Sequence, residues 1–174
     1  MIWFNAPHWK YEDYFFQELM PYMEQHYKIK AEKRYRGVAG FSMGGGASVV
    51  YGIHHPELFT MVFDMSGYLR RQPMEFLKND PSAEWRQQLV ENCNPIPVIL
   101  KATKEQVENW KTVRWFVDSG DKDFTLEANM DLVKAFRQQG IDYEMRVRAG
   151  AHDWGYWHTS LEMALVYFSQ LLCK

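Results

Sequence analysis

The sequence predicts an α/β fold with a mainly parallel sheet and flanking helices. Short apolar runs typical of buried strands alternate along the chain with longer segments of helical periodicity. The apolar runs end in polar or glycine-rich loops, as strands of a parallel sheet do when a helix follows. Because 174 residues can bury one substantial core and 47% of them are hydrophobic, we expect a single domain over 1–174.

The first helical segment is YEDYFFQELMPYMEQHY, residues 11–27. Its apolar positions share one face, which predicts an amphipathic helix: Phe15, Leu19, Tyr22 and Met23. Pro21 lies inside this pattern, lacks an N–H and cannot continue a regular helix. We therefore expect a bend at Pro21 or two shorter helices.

The segment GVAGFSMGGGASVV, residues 37–50, predicts a strand, a sharp turn and a helix. It contains the pattern G-x-S-x-G, in which Gly40 and Gly44 leave room for a turn that exposes the Ser42 hydroxyl. A glycine-rich turn with a solvated serine is the alternative interpretation. The residues of later loops distinguish a nucleophilic serine from a solvated one.

The remaining elements follow in the same alternation. LFTMVFDMSG (58–67) and VRWFVDSGDKDF (113–124) each predict a strand followed by a loop, and YEMRVRAG (143–150) predicts a third. LEANMDLVKAFRQQG (126–140) predicts a helix that ends at Gly140, and TSLEMALVYFSQLLCK (159–174) a terminal helix. This order indicates strands and crossover helices of one sheet.

Residues 68–111 interrupt the alternation with short helical pieces and four prolines, Pro73, Pro81, Pro95 and Pro97. So long an excursion between two strands is a candidate lid or substrate-binding insertion. A passive surface insertion fits the pattern equally well.

Composition excludes several function classes. With a net charge of −2 and no long Lys/Arg run, the sequence indicates no basic surface of the kind that binds nucleic acid. No apolar run reaches membrane-spanning length and the amino terminus lacks signal-peptide features, so we expect a soluble chain of unknown compartment. Cys93 and Cys173 have no metal-ligand spacing, which favours two unpaired thiols. We expect neither a cofactor nor a metal.

A serine becomes nucleophilic when an imidazole accepts its proton and a carboxylate orients that imidazole. After this strand-to-helix turn, the elbow, three aspartates crowd the end of one strand: Asp118, Asp121 and Asp123. His152 follows the end of a later strand, in RAGAHDWGYW. The order Ser, Asp, His is that of α/β-hydrolases. From the residues alone Asp118 is placed within its strand, while Asp121 and Asp123 both stay candidates for the acid.

The segments AGFSMGGGA, DSGDKDF and GAHDWGYWHTSL together resemble the putative-esterase family of α/β-hydrolases, which includes feruloyl and acetyl-xylan esterases. The resemblance implies that Ser42 is the nucleophile, His152 the base and Asp123 the acid, with Asp121 in reserve. It also implies that the Met43 amide is one oxyanion donor. Related carbohydrate esterases are often secreted.

The resemblance also implies an amino-terminally shortened fold, because family members have further strands before the helix at 11–27. The elbow strand would then lie at an open sheet edge. We expect a homo-oligomer that covers this edge, or a poorly soluble and weakly active chain. A loop after one of those further strands supplies the other oxyanion donor in the family.

The function that these residues favour is hydrolysis of a carboxylic ester, an acyl or aryl ester of a carbohydrate, through a covalent acyl-enzyme. Trp154, Tyr156 and Trp157 beside the base could line an aryl or sugar pocket, or could be core residues. Two alternatives remain. One is an acyltransferase with the same triad, and the other is a non-catalytic remnant of the fold.

Overall fold

The computed structural model describes residues 3–6, 9–69, 79–81, 83–84 and 93–172. Its strands are β1 (Asn5–Ala6), β2 (Trp9–Lys10), β3 (Gly37–Phe41), β4 (Met61–Met65), β5 (Arg114–Gly120) and β6 (Tyr143–Arg148). Its α-helices are α1 (Tyr11–Asp13), α2 (Met20–His26), α3 (Met43–His54), α4 (Pro95–Leu100), α5 (Lys104–Trp110), α6 (Leu126–Gln138) and α7 (Trp154–Leu172). A π-helical segment, Tyr14–Leu19, joins α1 to α2, and a 3-10 turn covers Lys33–Tyr35.

The main sheet has four strands in the order β3-β4-β5-β6, and all three pairings are parallel. The predicted α/β fold with a parallel sheet and flanking helices is therefore confirmed. In the part of the chain that the structure describes, β1 and β2 pair with each other, antiparallel, and with no other strand. Within the described ranges β3 pairs with β4 alone, so its other side is an edge.

Alternate side chains of each strand point to opposite sides of the sheet, and helices cover both of these faces. Val62, Trp115 and Val117 pack with the apolar residues of α3, α4, α5 and α6. Phe63 and Phe116 stack at 4.2 Å between ring centroids on the opposite face, under α7. The site at the ends of these strands therefore stands on a three-layer core.

The expected bend at Pro21 takes the form of a π-helical segment. Met20 donates its backbone N–H to the carbonyl of Phe15, five residues back, immediately before the proline. The wider turn leaves room for the proline ring. Because proline has no N–H, no backbone donor is left without a partner at position 21. The helical path consequently continues from Tyr11 to His26.

The terminal helix begins at Trp154, five residues earlier than the sequence indicated. The Asp153 side chain explains this start, since its Oδ1 accepts the backbone N–H of Tyr156 at 2.9 Å, as an N-cap residue does. Gly140 follows α6 with a φ of 66°, which agrees with its predicted role at the end of that helix.

The end of the predicted insertion packs into the core. Ile99 of α4 and Trp110 of α5 are buried, and the Trp110 indole donates to the carbonyl of Ile53 at 3.0 Å. These two helices therefore cover one face of the sheet. The ranges 70–78 and 85–92 and residue 82 lie outside the described residues, so the lid hypothesis for 68–111 stays a prediction.

Among the described residues, no helix is both long enough and apolar enough to cross a membrane. Cys93 is a free thiol, as expected, and burial raises its pKa to about 11. Cys173 lies outside the described residues.

Candidate active site

Ser42 occupies a sharp turn between β3 and α3. Its backbone has φ 54° and ψ −119°, a region that non-glycine residues rarely adopt and that costs energy to hold. A Cβ on Gly40 would collide with the carbonyl of Gly44, so only glycine permits this turn. The predicted sharp turn between strand and helix is thus present, and it places half-buried Ser42 at the carboxyl end of the sheet.

The Ser42 hydroxyl lies 2.8 Å from Nε2 of His152. His152 belongs to the short loop between β6 and α7, at the opposite edge of the sheet from β3. The loop therefore reaches back over the ends of the two central strands to meet the elbow. The structure brings together these two sequence-predicted residues.

Asp123 faces the other nitrogen of the same ring. Its Oδ1 and Oδ2 lie 2.9 and 3.0 Å from Nδ1 of His152. An ionised carboxylate can only accept, so Nδ1 carries the proton and Nε2 is the acceptor for the Ser42 hydroxyl. This tautomer is the one that a general base next to serine requires.

The Asp123 carboxylate is fixed by its own surroundings. Thr125 donates to Oδ1 twice, from its backbone N–H at 2.8 Å and from its hydroxyl at 2.7 Å. Burial raises the pKa of Asp123, but these bonds, His152 and the nearby Ser66 hydroxyl outweigh burial and hold the pKa below its ordinary value.

The two aspartates that precede Asp123, Asp118 and Asp121, have different partners. Asp118 is within β5, as the sequence indicated, and pairs with Arg148. Asp121 accepts the backbone N–H of Gly150 at 2.9 Å. Of the two carboxylates that the sequence left open, Asp123 is the one in contact with His152.

Met43 is the first residue of α3, directly after Ser42. The first N–H groups of a helix have no acceptor within the helix, and the helix dipole adds positive potential there. The Met43 amide is therefore available to an oxygen beside Ser42. Met43 is 40% exposed.

Aromatic rings flank the Ser42–His152 pair. Phe41 contacts both Trp154 and Trp157, each at 4.9 Å between ring centroids, and Trp157 contacts His152 at 4.8 Å. Phe124, which follows Asp123 in the chain, also contacts His152, at 4.4 Å between ring centroids. Because Trp154 and Phe124 are 70% and 69% exposed, flat apolar surface lies open beside the reactive hydroxyl.

Tyr156 does not belong to this exposed set, contrary to one of the sequence-based interpretations. It is buried, and its hydroxyl donates to Asp118 at 2.8 Å. Helical spacing explains the difference, because neighbouring residues 154 and 156 point about 200° apart around α7. Tyr156 is a core residue, while Trp154 faces solvent.

A further buried carboxyl group lies under the turn at Ser42. Asp64 of β4 has no solvent exposure, and a Cβ on either Gly45 or Gly67 would collide with its carboxyl group. Among the residues that the structure describes, neither carboxyl oxygen has a partner in hydrogen-bond geometry. Burial raises the pKa of Asp64 to about 8, with Asp118 and Asp123 acting in the same direction and the Gly67 backbone against it.

Sequence reasoning missed the groups around Asp123 and His152. Thr125 and Ser66 act on Asp123, and Asp118 with Arg148 joins two strands to α7. The pattern D-x-T at 123–125 was a local signal for Thr125, since Asp side chains often accept the N–H two residues on. In the described ranges, no three His, Cys, Asp or Glu side chains are grouped to hold a metal ion.

A parallel sheet between helical layers, with a serine on a strand-to-helix turn, defines an α/β-hydrolase, and the solved structures that this chain resembles are esterases of that fold. The chain belongs to the family described as "Putative esterase", whose sequence model matches residues 5–168.

Three similar proteins illustrate the match. A curated acetyl esterase from Caldicellulosiruptor saccharolyticus is 21% identical, over 92% of this chain and 65% of its own length. A solved ferulic acid esterase is 34% identical with a TM-score of 0.89, over 98% of this chain and 65% of that one. The S-formylglutathione hydrolase of Staphylococcus aureus shares the fold, with 18% identity and a TM-score of 0.72 over 91% of this chain and 60% of its own. The chain thus spans about 65% of the length of the first two.

Proposed function

We propose that this chain is a serine carboxylic-ester hydrolase with Ser42 as nucleophile, His152 as general base and Asp123 as the group that orients His152. The observation that carries the proposal is the unbroken series of hydrogen bonds from the Ser42 hydroxyl through the imidazole to the carboxylate. Each group has the neighbour that its role needs.

In the proposed reaction, Nε2 of His152 takes the Ser42 proton as Oγ attacks the ester carbonyl. The imidazolium then gives this proton to the departing alcohol, and an acyl-enzyme on Ser42 remains. Water, deprotonated in turn by Nε2, attacks the acyl carbon, the bond between this carbon and Ser42 Oγ breaks, and the imidazolium returns the proton to Oγ as the acid leaves. Asp123 stabilises the imidazolium at each stage because its lowered pKa keeps it ionised.

The Met43 amide is proposed as one donor to the oxyanion of the tetrahedral intermediate. Its place at the start of α3 favours a developing negative charge. A lost oxyanion donor costs roughly 2.7–4 kcal/mol of transition-state stabilisation, so this amide has a large share in the rate.

The substrate class that we propose is an acyl or aryl ester of a carbohydrate. Exposed rings at Trp154 and Phe124, with Phe41 between Trp154 and Trp157, give flat apolar surface on which an aryl or sugar ring stacks. The names of the ferulic acid esterase and the acetyl esterase agree with this class.

Labelling with a fluorophosphonate and hydrolysis of p-nitrophenyl acetate test the proposal. We expect the wild-type chain and the Ser169→Ala control, altered at an exposed serine of α7, to be labelled and active. Ser42→Ala should lose the label and nearly all turnover. An inactive, unlabelled wild-type chain would favour the non-catalytic alternative, and acylated sugar formed in the presence of sugar acceptors would favour the acyltransferase.

The substrate class has its own test. Trp154→Ala should raise KM for an ester of an aromatic acid, methyl cinnamate, and leave hydrolysis of p-nitrophenyl acetate, whose acyl group has no ring, within about twofold, the small change expected of an exposed substitution. Trp9→Ala, at a 47% exposed tryptophan of β2, is the matched control. An equal response of both variants would contradict ring stacking at Trp154.

A further inference from the structure

A cluster of four polar side chains joins the ends of β5 and β6 to the first turns of α7. Asp118 lies at its centre with no solvent exposure. Arg148 donates to Asp118 through Nε at 3.2 Å and Nη2 at 2.7 Å, and the hydroxyls of Tyr156 and Ser160 donate to the same carboxylate. We call these four residues the Asp118 cluster.

The cluster encloses the loop that contains His152. This loop, 149–153, begins directly after Arg148 and ends directly before α7. Arg148 donates through Nη1 to Thr159 at 3.0 Å and through Nη2 to Ser160 at 2.7 Å. The two ends of the loop are therefore connected to each other through Arg148.

Tyr156 transmits this connection to the loop itself. Its ring packs so closely on Gly150 that a Cβ at that position would collide with it, and the Arg148 guanidinium lies 4.2 Å from the ring centroid. From the other side, Lys122 donates its backbone N–H to the Gly150 carbonyl at 2.9 Å. Gly150, two residues before His152, is thus held on both sides.

We infer that Asp118, Arg148 and Tyr156 are positioning residues that hold the His152 imidazole in line with Ser42. The inference rests on the proposed function, because it assigns these groups to the orientation of the proposed base. None of the three reaches the reacting atoms. They act through the backbone of the 149–153 loop.

The energetics of buried ion pairs favour a positioning role over a purely stabilising one. A buried pair stabilises a fold little compared with an apolar replacement, because desolvation offsets the attraction. A displacement of a catalytic group by about 1 Å, by contrast, can lower a rate about 100-fold. Hydrogen bonding to Asp118 raises the pKa of Arg148, and burial, followed by the hydrogen bond to Asp118, raises the pKa of Tyr156, so both side chains stay protonated as donors.

Arg146 offers a matched comparison on the same strand. It lies on the same face of β6, two residues before Arg148, and also contacts α7, through the sulfur of Met163 at 3.6 Å. Its carboxylate partner is Glu144, at 2.8 Å in a half-exposed pair. Arg146 thus shares the charge and the helix contact of Arg148 but does not border the His152 loop.

The experiment compares Arg148→Met with Arg146→Met in the full chain. We expect Arg148→Met to lower kcat on p-nitrophenyl acetate roughly 10- to 100-fold with KM nearly unchanged, the scale of a misplaced catalytic group. Arg148→Lys should recover part of the loss, and Arg146→Met should stay within about twofold, as surface changes do. A kcat in Arg148→Met equal to that of wild type would overturn the inference.

Nitrogen chemical shifts of the His152 ring supply a readout that needs no turnover. In the wild-type chain they should report a proton on Nδ1, and in Arg148→Met a mixture of tautomers. An unchanged tautomer in Arg148→Met would contradict the positioning role, whether or not the wild-type chain is active. Inactivity of the wild-type chain would contradict the proposed function alone.

Two further variants apply if Arg148→Met does not fold. Asp118→Asn combined with Arg148→Met removes both charges together and so leaves no unpaired buried charge. Tyr156→Phe removes only the hydroxyl that donates to Asp118. Both should lower kcat and alter the His152 tautomer, and wild-type values in both would again overturn the inference.

Discussion

Asp123 faces His152 with both carboxylate oxygens, at 2.9 and 3.0 Å from the same ring nitrogen. Asp121, two residues earlier, turns instead to the backbone of Gly150. Two carboxylates of one short loop thus hold the same histidine segment in different ways, one at the ring and one at the main chain.

Asp123→Asn should lower kcat by roughly 10³- to 10⁴-fold, because an amide can stabilise the wrong imidazole tautomer. Asp121→Asn keeps an acceptor for Gly150 and should cost less than about tenfold, since it alters only a loop hydrogen bond. Steady-state kinetics of both variants on an aryl ester measure the difference. The opposite ranking would transfer the orienting role to Asp121.

Ser42→Ala and His152→Ala should each lower kcat on the order of 10⁴-fold or more, and the double variant should be little worse than either alone. The reason is that the nucleophile and its base act as one unit. His158→Ala, at a histidine of α7 that is 77% exposed, is the control and should keep wild-type kinetics. Multiplicative losses in the double variant would show that the two residues act independently.

The Asp64 carboxyl predicts an unusual dependence of stability on pH. Its pKa is about 8 in the folded state, against about 3.9 in an unfolded chain. The folded state therefore binds the proton more tightly, and the stability due to this group is full below pH about 4 and is lost as the pH rises to about 8. Its slope in that window is about 1.4 kcal/mol per pH unit.

Urea unfolding of Asp64→Asn and wild type at pH 5 and pH 8 measures this effect. The variant cannot ionise at position 64, so its stability relative to wild type should rise by about 4 kcal/mol between the two pH values. Asp142→Asn, at an exposed position, is the matched control and should show no such rise. A difference for Asp64→Asn that does not vary with pH would mean that this carboxyl ionises freely in the folded chain.

The two edges of the sheet differ in a way that predicts self-association. β6 has Glu144, Arg146 and Arg148 among its six residues, whereas β3, GVAGF, has no charge. Charged side chains protect an edge from pairing with another chain. We expect the chain to form dimers or larger assemblies through β3 at micromolar concentration.

Sedimentation of Ala39→Lys tests this expectation, because Ala39 is an exposed position of β3 and an edge lysine opposes pairing. This variant should shift towards monomer, while Val147→Lys on the already charged β6 should not. A wild-type chain that stays monomeric at high micromolar concentration would rule out association through β3.

The strands and the elbow could be predicted because their signals are local. Met61–Met65 is buried along its whole length and is apolar except for Asp64, and the turn at Ser42 needs glycines within a few residues of it. The π-helical turn before Pro21 could not be predicted, because either a kink or a break would satisfy the same residues. Only packing against the rest of the chain selects one of them.

For the site, the residue types and their order predicted Ser42, Asp123 and His152, with help from a family resemblance in the choice between Asp121 and Asp123. The Asp118 cluster was beyond such reasoning, since Asp118 and Arg148 lie 30 residues apart. An arginine in an alternating strand usually marks the solvent side. Here its partner is a buried carboxylate on the neighbouring strand.

The contact between Ser42 and His152 joins positions 110 residues apart and unites the two outermost strands of the sheet. Every other element of the sheet must therefore be in place before these two side chains can meet. During folding, loop closures of this length come late, after local helices and neighbouring strands have formed. Reactivity of Ser42 should thus appear last on refolding. The time at which a fluorophosphonate first labels Ser42 would then report when the carboxyl-terminal strand and helix have packed onto the sheet.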